Sequence, residues 1–510
     1  MISKLKLIPG VNLVKNYLKI VLPAAFILIS MISIFNLISA MNGVSVEKHF
    51  ANETPVIIFT PNETRSDILV FVAHGFAGSA NLMKSIALSL AKTGHRTLTF
   101  DFLGHGRHSL PYSGDIMTEK GATKLFVRQI NDVINFYLKK EGASQVVIIG
   151  HSMASDLIFR TARLNHHIIG TIGISNYTDM IKRDKPSNVL IANGMWEPSL
   201  RNKAIDILKS IGIKSPQEDV VYGSFQDRSA RKITSIENAD HVGILYSSKT
   251  QMVVNNWIND ITGQKLKVAA KNIGVWALLL FFSLFCLFLI FVQKIPKQEL
   301  KRTNINFNHC ILGNVIAAIF TPFLLSSYSI DLLPFTAHNY LLNHLFLYAF
   351  LGFLFTKGAI ASLPLDNFNL LIFTGLVIFF TLILGGVLDQ YVSTFHLSDT
   401  RVPIFFLLLI GSIPITFYVQ LFYQNCNAGV WKASLSKLFL ILSLAFAMFL
   451  NFGELFLLGY AILLLLAFWL VFTFLSHLVL RRTGSYLSIA LANGVTLSWT
   501  LSTALPLYLP

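Results

Sequence analysis

Charged residues are scarce in this chain. Asp, Glu, Lys and Arg make up 13% of 510 residues, about half the share of an average soluble domain. That shortage excludes a wholly soluble protein. Cysteine is nearly missing: Cys286, Cys310 and Cys426 are the three, and none falls within 43–268. No disulfide framework, CxxC pair or zinc-ligand spacing exists, so the reading includes no metal and no cofactor. Acidic residues are the rarer charge, 26 against 41 basic, leaving a formal charge of +15. Such an excess points to nucleic acid only where it forms a basic stripe interleaved with aromatics on a soluble face. No such stripe is present, and nucleic acid is excluded as a partner.

What the chain has in plenty is phenylalanine, 42 in all, crowded into long apolar runs after residue 270. The first apolar run, near 17–40, follows Lys4, Lys6, Lys15 and Lys19. At ~1.5 Å per residue it is long enough to cross a ~30 Å hydrocarbon layer. It exceeds the ~7–15 apolar residues of a cleaved signal, so it reads as an uncleaved anchor. Further runs lie near 272–292, 308–327, 339–356, 367–388, 402–423, 434–450, 454–479 and 485–507. About nine crossings are expected, the pair before and after Asn451, Phe452 and Gly453 forming a tight helical hairpin. His338 and His344 are expected to flank the third crossing after residue 268, with Asp389, His396 and Asp399 in a loop.

Orientation follows the Lys/Arg content of short loops. With 1–16 inside the cytoplasm, the inside loops hold Lys294, Lys297, Lys301, Arg302, Lys357, Lys432, Lys437, Arg481 and Arg482, while the outside loops offer only Arg401. The expected organisation is a cytoplasmic N-terminus (1–16), an anchor (17–40), an extracytoplasmic block (43–268) and a membrane region of about eight helices (272–510). The sequons at Asn52, Asn62 and Asn176 matter only if that outside is a eukaryotic lumen or surface.

Within 43–268, short β-branched runs recur at 56–59, 68–73, 96–101, 145–150, 170–175, 188–192 and 232–236. Most are continuously apolar, as buried parallel strands are. Helical stretches alternate with them. In 119–140, Phe126, Ile130, Val133, Ile134 and Tyr137 share one helical face. Alternation of this kind predicts an α/β fold, a doubly wound and mostly parallel sheet covered on both sides. Ligands bind beyond the carboxyl ends of such strands, so the turns there are where chemistry is expected.

The run 145–150 leads into Gly150-His151-Ser152-Met153-Ala154 and then a helix. A serine at such a turn stands clear of the sheet, and the helix N-terminus favours developing negative charge. The turn resembles the G-x-S-x-G nucleophile elbow of the α/β-hydrolase superfamily, with Ala154 replacing the second glycine. The run 68–73 ends in His74-Gly75-Phe76-Ala77-Gly78-Ser79. In that superfamily an HG turn here supplies an oxyanion-hole N–H. The resemblance therefore implies Phe76 and Met153 as the two donors, each worth roughly 2.7–4 kcal/mol in an acyl-transfer transition state. Asp101-Phe102-Leu103-Gly104-His105-Gly106 is similar to the superfamily's D-x-x-G-H-G turn, in which Asp101 and His105 read as structural.

Superfamily order is Ser, then Asp or Glu, then His. The resemblance puts the acid at Glu197, in Asn193-Gly194-Met195-Trp196-Glu197, and the base at His241, in Asp240-His241-Val242-Gly243. Asp184 and Asp206 are the alternative acids, the first at the wrong end of a strand and the second inside an expected helix. The likeness spans about 55–262 and implies a serine esterase or lipase-like hydrolase. His74, Gly75, Met195 and Trp196 would line the substrate pocket. The segment 175–186 is too short for a large lid, so an open site near the bilayer is expected. That setting favours a lipid or an acylated ester. Acyl transfer by the same residues, and a transporter or sensor carrying a non-catalytic hydrolase-like domain, are the other readings. The domain order is similar to that of glycosylphosphatidylinositol-inositol deacylases, which are longer.

Overall fold

The computed structural model describes residues 9–114, 120–299, 307–356, 366–425 and 429–510. Glu119, Lys301, Arg302, Lys357 and Cys426 lie outside the described residues, as do the N-terminal lysines Lys4 and Lys6.

A helix α1 (Pro9–Ser39) leads into β1 (Val44–Ala51), β2 (Thr54–Pro61), β3 (Leu69–Ala73), α2 (Lys84–Thr93), β4 (Arg96–Phe100), β5 (Tyr112–Ser113), α3 (Ala122–Glu141), β6 (Val146–His151), α4 (Met153–Leu164), β7 (Ile168–Ile174), β8 (Val189–Gly194), α5 (Pro198–Ser210), β9 (Arg231–Ile236) and α6 (Ser248–Thr262). Eight strands form one sheet in the order β1-β2-β4-β3-β6-β7-β8-β9. The strands from β4 to β9 run parallel, while β1 and β2 pair antiparallel at one edge. This is the doubly wound, mostly parallel sheet expected of the chain.

Alternation along β3 explains its two-sided burial. Phe71 packs with Phe126, Ile130, Ile134 and Ile158 from α3 and α4. Val70 and Val72 face the other way, onto Ile86 and Leu90 of α2 and Trp257 and Ile258 of α6. Each such side chain contributes roughly 1.5–3 kcal/mol by leaving water. The strand β1 was not expected. Its sequence VSVEKHFA is mostly exposed, and it forms because β2 offers it a full antiparallel ladder.

Beyond the sheet come α7 (Ile273–Lys294), α8 (Phe307–Ser327), α9 (Thr336–Phe353), α10 (Asn367–Val377) running through a π-helical turn into α11 (Gly385–Tyr391), α12 (Arg401–Asn425), α13 (Gly429–Leu450), the short α14 (Phe452–Leu455), α15 (Leu458–Thr483) and α16 (Tyr486–Ala504). Among the described residues, six helices are long and apolar enough to cross a membrane: Lys19–Ser39, Ile273–Lys294, Phe307–Ser327, Asn367–Tyr391, Arg401–Phe422 and Leu458–Thr483, with Ser434–Leu450 a shorter apolar one. The helices α9 and α16 fall outside that set. Their inner faces carry buried polar residues, among them Asn339 and Asn343, and Ser498 and Ser502. His338 and His344 do not flank a crossing as expected. Both lie within α9, fully buried, because the helix begins at Thr336. The hairpin between α13 and α15 contains an extra helical turn, capped by Asn451, whose side chain bonds both the backbone N–H and the carboxylate of Glu454.

The α/β domain sits on one end of the bundle. A strand β10 (Tyr508–Leu509), after α16, pairs in parallel with β5. Arg401 opens α12 and is completely buried, not displayed in a loop.

Candidate active site

The three residues expected at the site meet at the carboxyl edge of the sheet. Ser152 follows β6 with φ of 52°, a left-handed conformation costly for any residue but glycine. Close approach creates the turn. A methyl on Gly150 would lie 2.5 Å from the Ala154 carbonyl oxygen. The methyl of Ala154 itself is accommodated in the core, so alanine stands where the superfamily has glycine.

His241 Nε2 accepts from Ser152 Oγ at 2.8 Å, and His241 Nδ1 donates to Glu197 Oε1 at 2.6 Å. Glu197 is 8% exposed. Its other oxygen accepts the Ser175 hydroxyl at 2.8 Å and the Gly194 N–H at 2.7 Å. Burial, the largest influence, would raise the Glu197 carboxyl. The hydrogen bonds from His241, Gly194 and Ser175 outweigh it together and hold the carboxyl below its ordinary value. The geometry keeps an ionised acid against Nδ1–H, leaving Nε2 free to take a proton from the serine. Asp206 pairs with Lys209 on α5, and Asp184 lies by Arg231.

Two further residues, Ser175 and His151, complete the arrangement. Ser175, at the end of β7, carries φ of 49° and holds Glu197. His151 Nε2 donates to the backbone carbonyl of His241 at 2.7 Å. Burial, with His241 adding, pushes the His151 ring down to about 4, so it stays neutral. The local hint was only that both sit at carboxyl ends of strands.

The turn after β3 approaches the serine closely, since a methyl on Gly75 would come within 3.0 Å of Ser152 Cβ. Gly78 N–H bonds Gly75 O, with Ala77 at φ of 55° between them. Phe76 and Met153 are half-buried beside the elbow. His74 is not a pocket residue as expected. It is fully buried, accepts the Phe102 N–H on Nε2 and donates from Nδ1 to Gly75 O. Both ring nitrogens are committed to backbone, so it ties two turns together. Asp101 does the same, accepting the Ala80 and Arg107 N–H groups. Met195 and Trp196, in the turn before Glu197, are exposed, as are Val242 beside His241 and Tyr177 two residues after Ser175. Among the described residues, no cluster of three His, Cys, Asp or Glu could hold a metal ion.

Residues 64–203 match the family model described as serine aminopeptidase, S33. The match reaches from before β3 into α5, and so includes Ser152 and Glu197 but stops short of His241. With the sheet order, it defines the 44–262 domain as an α/β hydrolase. The chain is similar to the solved TT1662 of Thermus thermophilus at 14% identity, covering 44% of this chain and 99% of that one with a TM-score of 0.33. It is also similar to a membrane phospholipase A, described as a bacterial virulence factor, at 11% identity over 49% and 96% of the two chains with a TM-score of 0.33. A soluble variant of monoglyceride lipase from Saccharomyces cerevisiae shares 15% identity over 43% and 96%, with a TM-score of 0.30. No curated protein matches the chain.

Proposed function

We propose that this chain is a membrane-anchored serine hydrolase that cleaves a carboxylic ester of a lipid or acylated substrate through Ser152, His241 and Glu197. The observation that carries the reading is the relay of 2.8 and 2.6 Å from Ser152 through His241 to Glu197, at the strand ends where this fold holds its ligands.

In the first half-reaction, Ser152 Oγ attacks the ester carbonyl carbon and passes its proton to His241 Nε2. The N–H groups of Phe76 and Met153 receive the oxyanion. Collapse breaks the bond to the alcohol oxygen, which leaves with the proton from Nε2, and an acyl-Ser152 remains. Water then attacks the acyl carbon, giving a proton to Nε2, and collapse returns that proton to Ser152 as the acid departs. Glu197 keeps the histidine in the required tautomer and stabilises its cation throughout.

The exposed side chains of Tyr177, Met195, Trp196 and Val242 support an acyl chain as the group bound. The Lys/Arg distribution supports a hydrolase domain outside the cytoplasm. The six apolar helices, two of which enter and leave the domain, support work at the bilayer surface.

The test is labelling of membranes with a fluorophosphonate probe, comparing wild type with Ser152→Ala and His241→Ala. Labelling of wild type alone is expected. A folded wild type that resists the probe removes the hydrolase reading and leaves the transporter or sensor reading in its place.

A further inference from the structure

We propose that the membrane bundle is a working part of the active site, with Asp389 and Arg401 as positioning residues for the oxyanion turn. The inference rests on the serine-hydrolase reading above. It addresses why so many helices accompany the domain, when a single crossing suffices as a tether.

The turn that presents Phe76 is strained at Ala77, and a strained turn persists only where its surroundings fix it. Part of that fixing comes from more than 300 residues away. The Ser79 hydroxyl oxygen accepts the Thr394 N–H at 3.0 Å. Asn81 Nδ2 donates to the Asp389 carbonyl at 2.6 Å, and Lys84 Nζ to that of Gln390 at 3.3 Å. Asp389 and Gln390 lie in the last turn of α11, and Thr394 in the short segment joining it to α12.

The same end of α11 grips the second turn, the one behind Phe76. Asp389 Oδ2 receives the Arg107 guanidinium at 2.7 Å, while its Oδ1 accepts the Phe395 N–H at 2.8 Å. Trp499 of α16 donates to the Phe395 carbonyl at 2.8 Å. The carboxylate therefore joins the hydrolase turn to a segment already fastened to the bundle.

Arg401 makes the other attachment. Buried completely, it donates to the carbonyls of Ser502 and Leu505 at the end of α16 and, at 3.0 Å, to that of Gly104. Gly104 O also accepts the Leu507 N–H at 2.8 Å. Next to Gly104, the His105 ring meets Phe76 edge-on with centroids 5.5 Å apart and stacks on Tyr112, which packs against Tyr508. Two grips from the bundle thus converge on the turns around Phe76, one on the side chains of Ser79, Asn81 and Arg107, the other on the Gly104 carbonyl. None of them touches Ser152, His241 or Glu197. A shift of the bundle end would move one oxyanion donor and leave the proton relay in place.

The test uses the full chain in lipid nanodiscs, with turnover expressed per serine titrated by a fluorophosphonate, so that unfolded protein is not counted. Asp389→Ala is expected to lower kcat about 10- to 100-fold, the scale of a displaced oxyanion donor, with KM changed less than about twofold because that contact forms mainly in the transition state. Asp389→Asn keeps an acceptor for the Phe395 N–H but sets an amide N–H against the Arg107 guanidinium, so it is expected to recover little of the loss. Arg401→Gln, acting through Gly104, should show the same kcat-selective loss and serves where Asp389→Ala fails to fold. Turnover per titrated serine equal to wild type in both folded variants overturns the proposal. A wild type that takes no label instead overturns the serine-hydrolase reading, and this proposal with it.

Discussion

His151 donates its Nε2 hydrogen to the backbone carbonyl of His241, 90 residues further along, at 2.7 Å. The residue beside the nucleophile thereby fixes the loop that carries the base. His151→Ala is expected to lower kcat about tenfold or more by letting the imidazole drift, with KM nearly unchanged. His151→Gln, whose amide can still donate, should retain most activity. Steady-state kinetics on the two variants decide it, and equal losses in both would count against a role for this bond.

Glu197→Gln keeps the shape of the acid but cannot hold Nδ1–H as a carboxylate does. Its kcat should fall by roughly 10⁴, the scale of the equivalent change in a serine protease. Ester turnover per intact molecule measures this, and a loss under tenfold would mean that another acid serves His241.

Ser175 gives one of the hydrogen bonds that hold the Glu197 carboxyl down against burial. Removing it in Ser175→Ala raises the affinity of that carboxylate for protons, and the ionised Glu197 that holds His241 is then lost at a higher pH. The acid limb of kcat/KM should move to higher pH, and activity at pH 7 should fall by less than about tenfold, in keeping with one lost hydrogen bond to a charged group. A pH profile superimposable on wild type would contradict this.

Gly150→Ala should abolish labelling, since the new methyl falls 2.5 Å from a backbone oxygen. Ala154→Gly should keep labelling and lose about 1 kcal/mol of stability as a glycine within a helix, a drop of roughly 2–4 °C in melting midpoint. Probe labelling and a melting curve separate the two.

Burial lowers five histidines of the hydrolase domain: His95, His108 and His151 to about 4, His105 to about 3, and His74 also downward. The unfolded chain takes up protons at these positions below about pH 6.5, while the folded domain does not until about pH 4. Their contribution is complete above about pH 6.5 and is lost as pH falls through the window down to about 4. Each histidine costs up to ~1.4 kcal/mol per pH unit there. Melting curves of the solubilised protein should move steeply downward between pH 6.5 and 4.5, and a flat midpoint would contradict the burial of these rings.

Ser152, Glu197 and His241 were named through the resemblance to α/β hydrolases, and each lies in a turn beside its own strand. A buried parallel strand is a short apolar run, and the residue leaving its carboxyl end is placed by local geometry before any distant contact forms. The apolar helices were legible for the same reason, length and hydropathy being properties of contiguous residues. The exposed strand β1 was not, since its residues carry no apolar pattern and only the ladder with β2 makes it a strand. His74 looked like a pocket residue from its motif, but packing committed both its nitrogens to backbone. The hydrogen bonds from Ser175 to Glu197 and from His151 to His241, and the grips of Asp389 and Arg401 on the turns around Phe76, were decided by tertiary structure alone. They join residues from 22 to 308 positions apart. A hydrogen-bond partner that far along the chain leaves no local signature, because it is chosen by where the sheet and the bundle bring their ends together.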